Sequence, residues 1–217
     1  TSSLVLKISL GAIIASLLRW AFQSASDPAL GLLIANTIGC FIIGWATKSQ
    51  WSSQSWLTVG FCGALTSFSA LCFHVATSVN QANYLAALKD IYNNYFLLNC
   101  ISVKPTGPMA YFLIASFIAL VSAGAILRWY ATKYFGLVGT LLINLLGAFA
   151  LGLLTNTGAT AAVVLGTGAL GSLTTISGLA LHFDQLLRND KKLAIGYLVL
   201  SLSGGIAAAL LGIKLVT

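Results

Sequence analysis

The chain is 217 residues long, 58% of them hydrophobic and 7% charged, with a mean hydropathy of +0.94. That balance excludes a water-soluble domain of this size and places most of the apolar surface against lipid. The formal charge of +7 comes from eleven scattered Lys and Arg, and with no basic run it leaves no footprint for nucleic acid.

In chain order, apolar runs lie at 4–22, 29–47, 56–79, 109–131, 135–155, 160–187 and 193–215. Each is long enough to cross the hydrocarbon core as a helix, whereas a membrane barrel would show short alternating segments. The run from Leu4 to Phe22 lacks a clear small-residue cleavage site, and its ending recurs later, so it is read as structure and not as a secretory signal. Segment 81–108 is different. Its apolar residues are interrupted by Gln81, Asn83, Lys89, Asp90, Asn93, Asn94, Asn99, Lys104, Pro105 and Pro108, which marks a linker or incomplete spans. Cys40, Cys62, Cys72 and Cys100 show no metal or redox spacing and are read as free thiols.

An internal repeat organises the chain. Asn36, Gly39 and Gly44 return 108 positions later as Asn144, Gly147 and Gly152. Gly63, Leu65, Thr66, Ser69 and His74 return at the same shift as Gly171, Leu173, Thr174, Ser177 and His182, and Arg19 before Trp20 returns as Arg128 before Trp129. The reading is a first repeat at 1–80, a connecting segment at 81–108 and a second repeat at 109–217, all α-helical and integral to the membrane, with about four helices in each repeat.

Charge placement indicates inverted repeats. Lys7 and Lys48 mark one side of the first repeat, while Lys133, Arg188, Lys191 and Lys192 follow the opposite ends in the second; Lys89, Lys104 and Lys214 run against the pattern. Inversion needs an odd number of crossings between equivalent spans. Residues 81–108 are too few for two crossings at about 20 residues each, so either the first repeat has only three spans or the chain as given omits a crossing there, and the omission is the expectation.

Asparagine in mid-span costs free energy unless it is hydrogen-bonded. The repetition of Asn36 as Asn144 points beyond ordinary helix packing toward a polar path. The third spans read Gly63, Ala64, Leu65, Thr66, Ser67, Phe68, Ser69 and Gly171, Ser172, Leu173, Thr174, Thr175, Ile176, Ser177. Glycine and clustered hydroxyls at membrane depth tolerate unwound backbone, so both third helices are expected to be broken, with freed carbonyls able to face a cation.

Gly124, Ala125 and Arg128, the run 139–152 and the run 63–69 together resemble the three signature regions of the Fluc/FEX (CrcB-type) fluoride channel family, and they cover most of both halves. The chain is similar to the eukaryotic form, which fuses two inverted halves, where bacterial members pair two identical antiparallel subunits. The resemblance implies two pores at the interface of the halves, passive fluoride export, a structural Na+ at the helix breaks, action as a single chain and a plasma-membrane location. Carried over by position, Asn36 and Asn144 are the pore amides, and Thr66, Ser67, Ser69, Thr174, Thr175 and Ser177 form a hydroxyl track. The backbone at Gly63, Thr66, Gly171 and Thr174 holds sodium, and Arg19 and Arg128 stand near the vestibules. The family's Phe pair falls on Phe68 and Leu71 in one half and on Ile176 and Leu179 in the other. Three of the four aromatic positions are thus replaced, and one conducting pore beside one degenerate pore is expected. Tyr197, Ser201 and Ser203 lie where the family places further hydroxyls.

This chemistry suits a small, strongly hydrated anion, because amide and hydroxyl donors replace its water without the trap of a full charge. An ion-coupled transporter of a small anion is the competing class, and it normally uses a titratable group inside the membrane. The chain has no Glu, and Asp27, Asp90, Asp184 and Asp190 fall in loops or near span ends, leaving His74 and His182, which are read as packing residues. No catalytic residues are expected. The protein is read as a channel and not an enzyme, with fluoride and the lipid bilayer as its partners.

Overall fold

The computed structural model describes residues 2–80, 108–157 and 161–217, and among these every regular element is a helix. Helix α1 (Ser2–Ala25) turns into α2 (Pro28–Ala46) at Asp27. The Asp27 carboxylate accepts the N–H groups of Ala29 (3.0 Å) and Leu30 (3.2 Å), and Pro28 occupies the first helical position, where a missing N–H costs nothing. After a 3-10 turn (Gln50–Ser53) comes the third crossing, in two legs. The first leg, α3, winds wide as a π-helix over Trp56–Cys62 and tightens over Gly63–Leu65. Thr66 then swings to φ −90°, ψ 141°, and the helix restarts as α4 (Phe68–Asn80).

Helix α5 (Pro108–Leu153) is 46 residues long, about 69 Å at 1.5 Å per residue, which is twice the ~30 Å hydrocarbon core. It is therefore two crossings. They part at Gly136 (φ 54°, ψ −129°), in a region that a residue with a Cβ enters only under strain. The next crossing repeats the design of the third: α6 is wide over Ala162–Leu170 and α-helical over Gly171–Leu173, Thr174 turns to φ −91°, ψ 153°, and α7 (Ile176–Asn189) follows. Asp190 caps α8 (Lys191–Lys214) by accepting from the N–H groups of Lys192 (2.9 Å) and Leu193 (3.1 Å).

Among the described residues, six stretches are long and apolar enough to cross a membrane, and the longest of them, Tyr111–Asn156, holds the Gly136 kink. Each apolar run read from the sequence thus has its crossing, and both third crossings are broken. The linker or incomplete spans at 81–108, the omitted crossing and Cys100 fall on residues 81–107, outside the described residues, apart from Pro108, which begins α5.

The two breaks pair antiparallel. Thr66 Oγ1 meets Ser177 Oγ at 3.2 Å and Ser69 Oγ meets Thr174 Oγ1 at 2.9 Å, so advancing along one break runs backward along the other. Antiparallel pairing of equivalent segments is what inverted repeats require, and the repeats are inverted. Small residues let them close up. One buried cluster joins Ile8, Ala12, Ala15, Ala35, Ala64 and Leu65 to Val121 and Ala125, and another joins Phe68, Cys72 and Ala76 to Ala148, Leu179, Tyr197, Ala209 and Ile213. Large apolar side chains such as Phe41 (76% exposed) and Leu146 (63%) cover the outside, as lipid requires.

The repeated glycines divide by role. A Cβ on Gly39 would meet the Thr66 methyl and one on Gly147 the Thr174 methyl, while Gly44 faces open space. Gly39→Leu is expected to lower stability by about 1–3 kcal/mol and Gly44→Leu to leave it unchanged, as read from thermal unfolding in detergent.

Candidate functional site

Breaking a helix in mid-membrane strands backbone N–H and C=O groups that lipid cannot satisfy. The repeated asparagines answer this. Asn36 Oδ1 accepts the Ser67 N–H at 2.9 Å, and Asn144 Oδ1 accepts the Thr175 N–H at 2.9 Å. Asn144 also donates from Nδ2 to the Thr175 carbonyl at 3.1 Å, which closes a two-bond clasp. Both side chains are buried, Asn36 at 6% exposed and Asn144 at 0%. The sequence places them on a polar path; the structure places them against the first residues after each break.

The six hydroxyl residues of the expected track meet at the crossing, all of them buried. Thr66 Oγ1 lies 3.1 Å from the Cys62 carbonyl, accepts the Ser177 N–H at 3.1 Å and contacts the Thr175 hydroxyl at 3.2 Å. Its counterpart Thr174 lies 3.0 Å from the Leu170 carbonyl, accepts the Ser69 N–H at 3.1 Å and contacts the Ser67 hydroxyl at 3.5 Å. Ser177 closes the network by donating to the Cys62 carbonyl at 3.0 Å. The hydroxyls of one repeat thus satisfy the stranded groups of the other.

Arg19 and Arg128 require a correction. The resemblance puts them near the vestibules, but they are 1% and 3% exposed and donate to backbone carbonyls beside the breaks. Arg19 reaches Ala64, Gly171 (2.8 Å) and Thr167 (2.6 Å); Arg128 reaches Ser172 and Val59 (2.6 Å). The reason lies in helix length. Helix α1 runs on to Ala25 and the first part of α5 to the Gly136 kink, which moves both arginines inward from the ends of the apolar runs.

The same geometry bears on the carbonyls expected to hold sodium. At Thr66 and Thr174 the change of ψ to 141° and 153° turns the carbonyl off the helical ladder, which supplies hard oxygen donors of the type an alkali cation takes. The Gly171 carbonyl is already engaged by Arg19, and the Gly63 α-carbon lies against the Arg128 guanidinium. No grouping of His, Cys, Asp or Glu able to hold a metal occurs among the described residues.

Phe68 is fully buried, its ring over Gly205 of α8, whose buried face also carries Tyr197 and Ser201. The three positions where the aromatic is replaced, Leu71, Ile176 and Leu179, line one small cavity of about 190 Å³, walled further by Ala180, Phe183, Leu198 and Leu202, and Ile176 and Leu179 pack in the same cluster as Phe68. Every lining side chain is apolar. Sequence reasoning missed the partner of His182, whose Nε2 lies 3.1 Å from Thr140 Oγ1, itself 3.1 Å from Thr132 Oγ1. The available signal was that Thr140 stands one helical turn before Asn144. Three of the acidic residues have structural employment, Asp27 and Asp190 as helix caps and Asp184 in an exposed ion pair with Arg188 at 2.9 Å. Asp90 lies outside the described residues.

Comparison with known proteins bears on both halves. The family described as CrcB-like protein, Camphor Resistance (CrcB) matches residues 6–105 and again residues 114–213. A protein of Prochlorococcus marinus (strain NATL2A), "Fluoride-specific ion channel FluC 1", is 32% identical over 105 residues, spanning 48% of this chain and 78% of its own length. "Fluoride-specific ion channel FluC" of Pseudomonas putida (strain W619) is 38% identical over 99 residues, 40% of this chain and 78% of that protein. "Fluoride-specific ion channel FluC 1" of Streptococcus pneumoniae (strain ATCC BAA-255 / R6) is 40% identical over 98 residues, 42% of this chain and 89% of that protein. Each relative is thus about the size of one repeat. No solved structure matches the chain.

The unequal bonding of the two asparagines gives a stability prediction. Asn144→Ala strands the Thr175 N–H, at about 1–3 kcal/mol for the unsatisfied group, and also removes a second bond, worth about 0.5–1.5 kcal/mol, to the Thr175 carbonyl, which as the N-cap of α7 keeps its helical donor; Asn36→Ala strands the Ser67 N–H alone. Thermal unfolding should therefore show the larger loss for Asn144→Ala.

Proposed function

Because this chain belongs to the CrcB-like family in both of its halves, we propose that it is a passive, fluoride-selective channel that lets fluoride leave the cytoplasm down its electrochemical gradient. The observation that carries the reading is the crossing of two asparagine-capped breaks, which concentrates amide and hydroxyl groups at membrane depth. Fluoride sheds its water only where donors replace it, and amide N–H and hydroxyl O–H groups do so without binding it as tightly as a free cation would. Asn36 and Asn144 supply amides beside the breaks, and Ser67, Ser69, Thr175 and Ser177 supply hydroxyls. Thr66 and Thr174 hold the breaks themselves.

The two routes are unequal in this proposal. On one, Phe68 offers an aromatic edge with its weak positive field, near the buried hydroxyl residues of α8. The other has Ile176 and Leu179 at the equivalent positions, apolar side chains that offer fluoride no donor and shed water as apolar constrictions do. Coupled transport finds no support at the described acidic residues, since Asp27, Asp184 and Asp190 are used at caps and in a surface ion pair. The protein so read catalyses no reaction, acts as a single chain and resides in the plasma membrane.

A structural sodium fits the donor type at the crossing. The carbonyls of Thr66 and Thr174, with Gly63, would hold it, while Gly171 gives its carbonyl to Arg19. When bound, the ion would neutralise carbonyl oxygens gathered where the two legs end. Replacing sodium by N-methyl-D-glucamine is then expected to lower unfolding stability, by about 2.7 kcal/mol if sodium was present at a hundred times its Kd; an unchanged melting temperature would remove the ion from the account.

The function itself is read from liposomes holding the purified protein, with a potassium ionophore present. Fluoride efflux without chloride efflux is expected, with Asn36→Ala and Asn144→Ala reducing it unequally and Phe68→Leu reducing it sharply. Absence of fluoride flux would refute the proposal, and equal losses in the two asparagine variants would refute the inequality of the pores.

A further inference from the structure

Two full positive charges sit in the middle of this protein, and the proposed fluoride path uses neither. Their acceptors obey the repeat. Arg19 donates to Ala64 in its own repeat and to Gly171 and Thr167 in the other; Arg128 donates to Ser172 in its own repeat and to Val59 in the other. Ala64 and Ser172 are equivalent positions, as are Val59 and Thr167, so one contact pattern is made twice in opposite directions.

The acceptors explain why arginine stands there. Helices α3 and α6 both stop at the crossing, and Ala64, Gly171 and Ser172 lie among the last four carbonyls of these legs, which lack a helical N–H partner and carry the negative end of a helix dipole, while Val59 and Thr167 lie farther back along the same legs. Two such ends brought together away from water repel each other. A guanidinium compensates both at once, with a planar fork of donors spread over several carbonyls and a charge it does not lose. Room for it is built into the backbone. A Cβ on Gly63 would collide with the Arg128 guanidinium and one on Gly171 with that of Arg19, so each repeat keeps a glycine where the other repeat's arginine lies.

We propose that Arg19 and Arg128 form a reciprocal clamp, in which each arginine ties the end of its own repeat's first leg to the first leg of the other and so sets the register in which the two breaks cross. They are positioning residues. The clamp requires the fork as well as the charge, and it stands on the crossing geometry whichever ion passes.

Arg19→Lys and Arg19→Met, made in the full chain and reconstituted in liposomes, test this. Both should lower maximal fluoride efflux by roughly tenfold, the size of one lost charged hydrogen bond, with the half-saturating fluoride concentration unchanged. Both should also speed amide hydrogen exchange over residues 59–66 and 167–174, the second segment lying in the repeat that Arg19 does not belong to. Parental flux in Arg19→Lys, or a raised half-saturation with unaltered exchange, would overturn the clamp in favour of anion attraction. Nitrogen-15 NMR of the arginine side chains reads the unmodified protein and needs neither a folded variant nor flux. Slowly exchanging, resolved Nη signals are expected for Arg19 and Arg128 and averaged ones for exposed Arg188; three rapidly exchanging arginines would contradict the proposal.

Discussion

A helix cannot stop inside a bilayer unless something within the protein takes up the backbone groups it abandons. This chain stops two helices there, at Thr66 and at Thr174, and each abandoned group costs on the order of several kcal/mol in hydrocarbon if left alone. Much of what is buried and polar in the protein serves that requirement. Asparagine amides take the first N–H after each break, the threonine hydroxyl of the opposite repeat takes that of Ser69 or Ser177, and the arginines take terminal carbonyls of the legs at Ala64, Gly171 and Ser172. The requirement also explains why two repeats are needed, since Thr174, Ser177 and Arg128 serve the first break, and Thr66 and Arg19 the second, from the opposite half of the chain.

Antiparallel crossing follows from the same accounting. With inverted repeats, the stretch that ends one first leg faces the stretch that ends the other, so a single set of residue types can satisfy both. Equivalence of fold does not force equivalence of function. The bonding around Asn144 is more complete than that around Asn36, His182 has a threonine partner at Thr140 where the first repeat has Leu32, and the aromatic survives only at Phe68. The scaffold therefore remains nearly symmetric while the routes through it diverge.

Much of this was legible in the sequence, for identifiable reasons. The 108-residue repeat, the mid-span asparagines and the hydroxyl clusters at 66–69 and 174–177 are local patterns whose cost in lipid demands explanation, and they mark the breaks correctly. The position of the arginines was not legible. Arg19 and Arg128 lie near the ends of their apolar runs, and their acceptors exist only once two helices have broken and two repeats have met, which no local window contains. The glycines at 63 and 171 read as break formers, and their second use, as room for a guanidinium from the opposite repeat, is likewise a property of the assembled fold. The wide winding of the legs before each break left no sequence signal either, because the residues over Trp56–Cys62 and Ala162–Leu170 suit an ordinary helix equally well.

If donors fixed at the crossing carry fluoride passively, the ion's own gradient is the only driving force, and the most direct measurement is the reversal potential of the current through the purified protein in a planar bilayer. Passive fluoride conduction gives a reversal that moves by about 59 mV for each tenfold fluoride gradient, the one-electron-charge value, and that ignores both a chloride gradient and an opposed pH gradient. A reversal that follows the pH gradient, or that moves with chloride, would contradict it.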